Sequence, residues 1–283
     1  MIVPDRNLRP DQAFGKPFPE CSAMRSLPIV LLAGLVVAGC QTAPVADAGF
    51  LSRYDGLVTR EDTVRASIRQ RRDDAATAVI DRIHLEPAQF VGTAGSGLTE
   101  AERARLLREV DRQICYEVSE RFILAPEARD VARLRTGVVD VRPTGAMGSG
   151  VAAVTNMLIP GPVTLRVPGT TGGLAAESEL IGPNGDQVAA LAWARNANTV
   201  GTDSPSLSHI GDALQMAEPL GDEIGNTISQ SGRPALEREG PDPCLRFGPR
   251  TQPVGFVTRI VTGLYVPEIN TGSTPAAEDK PRP

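Results

Sequence analysis

Thr99 to Phe122, TEAERARLLREVDRQICYEVSERF, is the stretch that decides the fold. Thr99 and Glu102 make a T-x-x-E capping box, in which each side chain satisfies the other residue's free amide. Leu107, Val110, Ile114, Val118 and Phe122 then recur at helical spacing and give one apolar stripe. Glu100, Arg103, Arg108 and Glu109 occupy the other faces. An amphipathic helix of this length needs an apolar surface to lie on, and the flanking sequence supplies candidates for it. Before the helix, Ala78 to Leu85 (AVIDRIHL) is rich in Val and Ile, ends at Pro87 and reads as a strand. After it, Val131 to Val141 (VARLRTGVVDV) reads as a second strand ended by Pro143. Leu174–Ile181 and Gln187–Ala194 flank Gly182-Pro183-Asn184-Gly185, and Asn-Gly supplies the positive φ angles of a tight hairpin turn. Ser208 to Ile228 repeats apolar residues at Ala213, Leu214, Ala217, Ile224 and Ile228, with Pro219 expected to kink it. Trp193, on the second hairpin strand, reads as a core residue. These elements predict an α/β (α+β) sandwich, a small mixed sheet with helices on one face. Its predicted extent is residues 77–229, with an extended tether before it and an extension after it.

Composition sets the outer bounds. The 283 residues are 41% hydrophobic and only 4% aromatic, with 28 Gly and 24 Pro, so much of the chain is loop around an aliphatic core. A net charge of −5 argues against nucleic acid as a partner, since phosphate neutralisation needs clustered Lys and Arg. Arg69, Arg71 and Arg72 are followed at once by Asp73 and Asp74 and read as a solvated mixed-charge face.

The amino terminus has a different character. Leu27 to Ala38 (LPIVLLAGLVVA) is apolar but too short to span a bilayer, which takes about 20 residues. Arg25 precedes it, and Ala38 and Gly39 lead into Cys40, so residues 24–39 read as a secretory signal peptide. The ending Val37-Ala38-Gly39-Cys40 resembles the lipobox of bacterial lipoproteins. That resemblance implies lipid on Cys40, cleavage before it, and attachment to a membrane. Gln41, in place of Asp, implies sorting to the outer membrane with the domain facing the periplasm. Residues 1–23 carry Asp5, Asp11, Glu20 and four prolines where a short basic lead is wanted, and are read as a start-site artefact ahead of Met24. Residues 40–76 are read as the lipidated tether, Asp62 to Ala76 being charged and without clear period.

In an oxidising compartment the remaining cysteines, Cys115 and Cys244, leave two readings open, a disulfide or two independent buried thiols. Phe256 to Val266 (FVTRIVTGLYV) is the most β-prone run of the second half and reads as a strand within the extension at 230–269, able to pair with the sheet or with a partner. Asn270 to Pro283 is polar and proline-rich and reads as a disordered tail.

No catalytic constellation emerges. Gly92 to Thr99 fits the phosphate-loop spacing except that Leu98 stands where the lysine belongs, so the loop offers amides without the cation. Gly145, Gly148 and Gly150 lack dinucleotide-binding spacing. His84 lies in the first strand. His209 sits among Asp203, Ser204, Ser206, Ser208 and Asp212, a crowding that reads as a helix start capped by Ser206 or Ser208. No His, Cys or carboxylate spacing suits a metal, and no cofactor is expected.

The order of parts also resembles a known group. Gly49-Phe50-Leu51-x-x-Tyr54, the strand before a capped helix, the strand ending Val-Arg-Pro, and the hairpin of form Ala-x-x-Glu-Leu with Asn-Gly are similar to proteobacterial lipoproteins of the domain of unknown function 3313. The resemblance runs from about Gly49 to Ile228 and implies an outer-membrane lipoprotein with a small α/β domain and no established activity. The resulting expectation is a non-enzymatic, lipid-anchored envelope protein acting through protein contacts. The alternative is a ligand-binding or hydrolytic envelope protein centred on His209.

Overall fold

The computed structural model describes residues 46–61, 63, 66–145, 149, 164–167, 169–237, 240–250 and 252–272, all within the unit Cys40–Pro283. The leader, the signal peptide, Cys40, most of the Gly145–Pro160 loop and the tail from 273 lie outside the described residues.

One open, mixed sheet organises the chain. Its strands are β1 (Val58–Thr59), β2 (Ala66–Arg72), β3 (Arg82–Leu85), β4 (Gln89–Phe90), β5 (Ile123–Leu124), β6 (Ala132–Arg142), β8 (Gly173–Ile181) and β9 (Gln187–Asn196). The order across the sheet is β1-β2-β9-β8-β6-β3-β5, with β4 continuing beside β6 where β3 leaves off. The four strands β2, β9, β8 and β6 pair antiparallel, while β3 and β4 run parallel to β6. Two short strands, β7 (Thr164–Leu165) and β10 (Val200–Gly201), pair apart from it. Helix α1 (Asp74–Ala78) leads into β3, and α2 (Glu100–Ser119) and α3 (Gly211–Ile228) form the helical layer.

The Asn-Gly hairpin is present, with Gly185 at φ +87°, and the expected β6 spans nearly its expected residues. Alternation along β8 sends Leu174, Ala176 and Leu180 to the helical side, where they join Val138 and Trp193 in the core. The register places Ile68, Trp193, Ala176 and Val138 in one row across four strands. The small Ala176 makes room beside the indole. Helix α2 begins at the capping box, with Thr99 N–H donating to Glu102 Oε2 at 2.8 Å and Glu102 N–H to Thr99 Oγ1 at 3.3 Å. It crosses α3 so closely that a side chain at Gly221 would meet the Gln113 backbone at 3.0 Å.

Several expectations need correction. The inward stripe of α2 begins at Leu106, which is fully buried, whereas Leu107 is half-buried beside it. The strand before α2 begins only at Arg82, because Asp73 accepts from Ala76 N–H at 2.9 Å and caps α1 over its first residues. Residues 66–72 are no tether. They form β2, second from the sheet edge, and only Ile68 among them is buried, so no apolar alternation advertises the strand. Their arginines are not simply solvated. Arg72 Nη1 donates to the carbonyls of Asn226, Thr227 and Ser229 and closes the carboxyl end of α3. Helix α3 starts at Gly211 with Ile210 at its cap, and continues through Pro219. Thr144 Oγ1, from the end of β6, accepts from Asp212 N–H at 3.0 Å in place of a serine cap. Finally, 256–266 is not a strand. Pro253–Thr262 is helix α4, followed by the short α5 at Pro267–Asn270. With Thr271 buried against that turn, order extends past 270.

The helices occupy one face of the sheet, and residues 48–57 cover the other. There Glu177 and Glu179 of β8 are buried. Glu177 accepts from Ala48 N–H at 2.9 Å, Phe50 N–H at 3.2 Å and the Tyr54 hydroxyl at 2.6 Å. Glu179 Oε2 accepts from Ser52 N–H at 2.8 Å, the Ser52 hydroxyl at 2.7 Å and Gln187 Nε2 at 2.7 Å. Arg135 lies 3.2 Å from Glu179 and 4.9 Å over the Phe50 ring. The Gly49-Phe50-Leu51-x-x-Tyr54 motif is thus a strap, held by carboxylates that would be costly to bury unpartnered.

Leu106→Ala should cost about 2–5 kcal/mol, and Leu107→Ala less than half as much. Urea unfolding of both variants measures the difference; equal losses would place Leu107 back in the stripe.

Candidate functional site

The hydrolytic reading needs Ser, His and Asp in one place, and the described residues do not assemble them. His209 Nδ1 lies 3.2 Å from Glu102 Oε1. Asp212 is buried against Arg166, with contacts of 2.6 and 2.8 Å, and accepts from Gly172 N–H at 2.6 Å. Asp203 pairs with Arg195 at 2.7 Å. The Ser206 hydroxyl donates to the Tyr265 carbonyl at 2.8 Å and accepts from Ser208 N–H at 3.2 Å. The Ser204 hydroxyl accepts from Arg259 Nε at 3.2 Å. The side chains of Asp203, Ser204, Ser206 and Asp212 each have a structural partner other than His209. Among the described residues no group of three or more His, Cys, Asp or Glu could hold a metal ion. The Gly92–Thr99 loop is a run of turns in which Gly95 packs under the Phe90 ring and gives its carbonyl to Arg103 Nη1 at 3.2 Å. His84 Nδ1 lies 3.1 Å from the Ala125 carbonyl, and Trp193 is core.

What the structure does assemble lies on the outer face of α2. Cys115 and Cys244 are joined by a disulfide across 129 positions of sequence. Around it the segment 240–272 is fastened repeatedly. The Tyr116 hydroxyl donates to the Gly248 carbonyl. Arg112 Nη2 donates to the carbonyls of Pro249 and Arg250 at 2.9 and 2.8 Å, while its Nη1 holds Glu109 at 2.8 Å. Arg108 Nη2 donates to the Arg246 carbonyl at 2.9 Å, and Arg105 pairs with Glu268 at 2.6 Å. Farther on, Tyr265 N–H donates to the Pro205 carbonyl at 2.9 Å. Gly255 lets α4 approach α5, since a side chain there would meet the Ile269 carbonyl at 2.4 Å.

Helix α4 is amphipathic in the wrong sense. Gly255, Thr258, Arg259 and Thr262 face the protein, buried or half-buried. Val254, Phe256, Val257, Ile260 and Val261 face solvent at 57–69% exposure. At 100° per residue these five span an arc of roughly 160°. They present on the order of 500 Å² of contiguous apolar surface, as much as the largest patches that monomers carry. The extension therefore hides its polar side and displays its apolar one.

Phe256 also stands at the rim of a cleft of about 790 Å³ between α2, α3 and α4. Glu109, Glu117, Glu218, Asp222, Arg250 and Tyr265 are among its lining residues. Arg250 Nη2 donates to Glu117 at 2.7 Å, and Nη1 pairs with Glu120. Partial burial, then the carboxylates of Glu117 and Glu218, push the Asp222 carboxyl up to about 6. Burial and Glu120 raise Glu117 as well, against the pull of Arg250. Burial raises Glu109 despite Arg112.

Sequence reasoning missed this helix, although Pro253 at its first position and Gly263, at φ +67°, just past its last were the signals to read. The apolar spacing at 256, 257, 260 and 261 is helical as well as β-prone.

Set against known proteins, residues 46–224 match the model of the family described as Protein of unknown function (DUF3313). No curated protein matches the chain. Among solved structures, a point-variant PelC dodecamer from Paraburkholderia phytofirmans is similar at 14% identity, covering 59% of this chain and 98% of its own, with a TM-score of 0.34. The PelC dodecamer from the same organism is similar at 14% identity over 58% of this chain and 96% of its own, with a TM-score of 0.32.

Asp222 ionises at higher pH in the folded protein than in the unfolded chain, so the folded state gains proton-linked stability below about pH 4 and loses it as pH rises through about 6. Asp222→Asn should therefore stabilise the fold at pH 7.5, by about 1 kcal/mol after allowance for the side chain's exposure, and give no gain at pH 4. Thermal melts at the two pH values test this; a gain of the same size at both would refute it.

Proposed function

Starting from the premise that this chain belongs to the DUF3313 family of proteins of unknown function, we propose that it is a non-enzymatic, lipid-anchored envelope protein that works through protein contacts. The observation that carries the reading is the outward apolar face of α4. A helix that turns Val254, Phe256, Val257, Ile260 and Val261 to water costs stability and solubility unless something covers it. The fasteners from Arg105 to Tyr116 hold that face in place rather than burying it. The segment that carries it lies beyond residue 224, where the family match ends, so the contact it makes lies outside the matched domain.

The anchor rests on the sequence: a charged lead at Arg25, the short apolar run, and Val37-Ala38-Gly39-Cys40. Several acyl chains on Cys40, at about 0.8 kcal/mol per buried methylene, would hold almost irreversibly. Gln41 favours the outer membrane, with the domain in the periplasm. The disulfide suits that oxidising compartment. Among the described residues no helix is long and apolar enough to cross a membrane, so attachment in this reading is through lipid. The strap then orients the domain. Ala48 lies eight positions after Cys40, a reach of at most about 29 Å when fully extended. Ala48 is fixed to Glu177 on the sheet face opposite the helices. The strapped face lies toward the membrane, and α4, on the helical side, points into the periplasm.

Cys40→Ala should move the protein from the membrane to the soluble fraction. In mild-detergent extracts the anchored protein should migrate as a complex larger than a monomer. Val257→Glu with Ile260→Glu should return it to monomer size while changing unfolding free energy by less than about 0.5 kcal/mol, as for surface positions. A double variant that still migrates as the complex overturns the α4 contact, and wild-type protein in the soluble fraction overturns the anchor.

A further inference from the structure

The carboxylates at the α2–α3–α4 cleft do not balance. Glu117 and Glu120 on α2 share one guanidinium, that of Arg250. Glu218 and Asp222, one helical turn apart on α3, have no hydrogen bond or ion pair among the described residues and line the same cleft. Near them Tyr265 is 6% exposed, yet its hydroxyl makes no hydrogen bond to a described residue and opens on the cleft. Arg250 shows what this wall accepts: its guanidinium sits between two carboxylates and 5.5 Å over the Tyr116 ring. Three further arginines line the cleft: Arg112 pairs with Glu109, Arg195 with Asp203, and Arg259 donates to the Ser204 hydroxyl, so Glu218 and Asp222 remain without an ion pair among the described residues. Phe256 links the two chemistries, since it lines the cleft and belongs to the exposed apolar row of α4.

We infer that the partner of this surface is a basic amphipathic segment of another protein, whose apolar side covers α4 and whose Lys or Arg residues enter the cleft against Glu218 and Asp222. The inference rests on the protein-contact reading above and specifies its chemistry. The dimensions agree with it. Carboxylates at i and i+4 on a helix stand about 6 Å apart, the spacing of two cations at i and i+4 on a facing helix. Helix α4 is about 15 Å long, so a partner helix of three to four turns covers it and reaches the cleft. Charge complementarity also discriminates among occupants. An acidic segment would meet unpaired carboxylates and be repelled, and an anionic bilayer surface would be disfavoured for the same reason. The mode is that of an amphipathic helix laid on an apolar surface, with the charges fixing register.

The test uses the anchored full chain in phosphatidylcholine nanodiscs and two labelled 14-residue peptides with the same leucine stripe, one carrying arginines on its polar face and one glutamates. Fluorescence anisotropy, with empty nanodiscs as the blank, should show the arginine peptide binding at least tenfold tighter. Glu218→Gln with Asp222→Asn should erase that preference without lowering the melting temperature. Ile260→Glu should abolish binding of both peptides. Equal affinity for the two peptides overturns the basic partner and leaves the α4 contact standing. A preference that survives in the Glu218/Asp222 variant places the charge recognition elsewhere and overturns the site. Binding of neither peptide also overturns the inference, while complex size in detergent extracts still decides the contact reading independently. Tighter binding to phosphatidylglycerol vesicles than to the arginine peptide would assign the face to lipid.

Discussion

Helix α2 is packed on two sides at once, and the rest of the molecule is arranged around that. Its inner side, from Leu106 through Val110, Ile114 and Val118 to Phe122 just past its end, lies against the sheet and α3. Its outer side would be an ordinary solvated face in a two-layer α/β sandwich. Here Arg105, Arg108, Arg112, Cys115 and Tyr116 bind the 240–272 segment instead. No single fastener explains the arrangement: exposed ion pairs contribute at most about 1 kcal/mol each. The disulfide closes a long loop, and a bond of that kind contributes about 2–4 kcal/mol by restricting the unfolded chain. Fixed in this way, a ten-residue helix too short to be stable alone can hold its apolar face outward.

The opposite side of the sheet follows a different logic. Glu177 and Glu179 sit where a sandwich would place aliphatic residues, and both are buried. Amides and hydroxyls of residues 48–54 satisfy them. Removing the strap would leave two carboxylates in an apolar surround, which is more costly than losing the apolar contacts of Phe50 and Leu51. The strap is therefore part of the domain, and the chain leaves it in a fixed place on the face away from the helices. In the proposed envelope protein that geometry separates the anchored side from the contact side.

Where burial and period agreed, the fold was legible in the sequence. The capping box at Thr99 and Glu102, the Asn-Gly hairpin and the long strand β6 could be read because local signals matched the tertiary outcome. Strand β2 could not, since its neighbours supply the apolar cover and its own side chains are mostly arginine, glutamine and serine. Asp212 looked like part of a polar cluster because its partner, Arg166, is 46 positions away. The contact surface was half legible. Phe256, Val257, Ile260 and Val261 stood out as apolar, but an exposed apolar face gives the same residues as a buried strand. Only Pro253 and Gly263 distinguish the helix. The cleft could not be read, because Glu117, Glu218 and Arg250 come together only through the α2–α3 crossing and the disulfide-bound segment.

Photo-crosslinking in intact cells tests the central claim most directly, that the fastened segment displays α4 for a protein partner. A photoreactive amino acid at Val257, 57% exposed, is compared with one at Val79, 80% exposed just past the end of α1. The account predicts one discrete protein adduct from position 257, lost when Glu218→Gln and Asp222→Asn are introduced, and none of that size from position 79. The same adduct from both positions, or none from position 257, would contradict it.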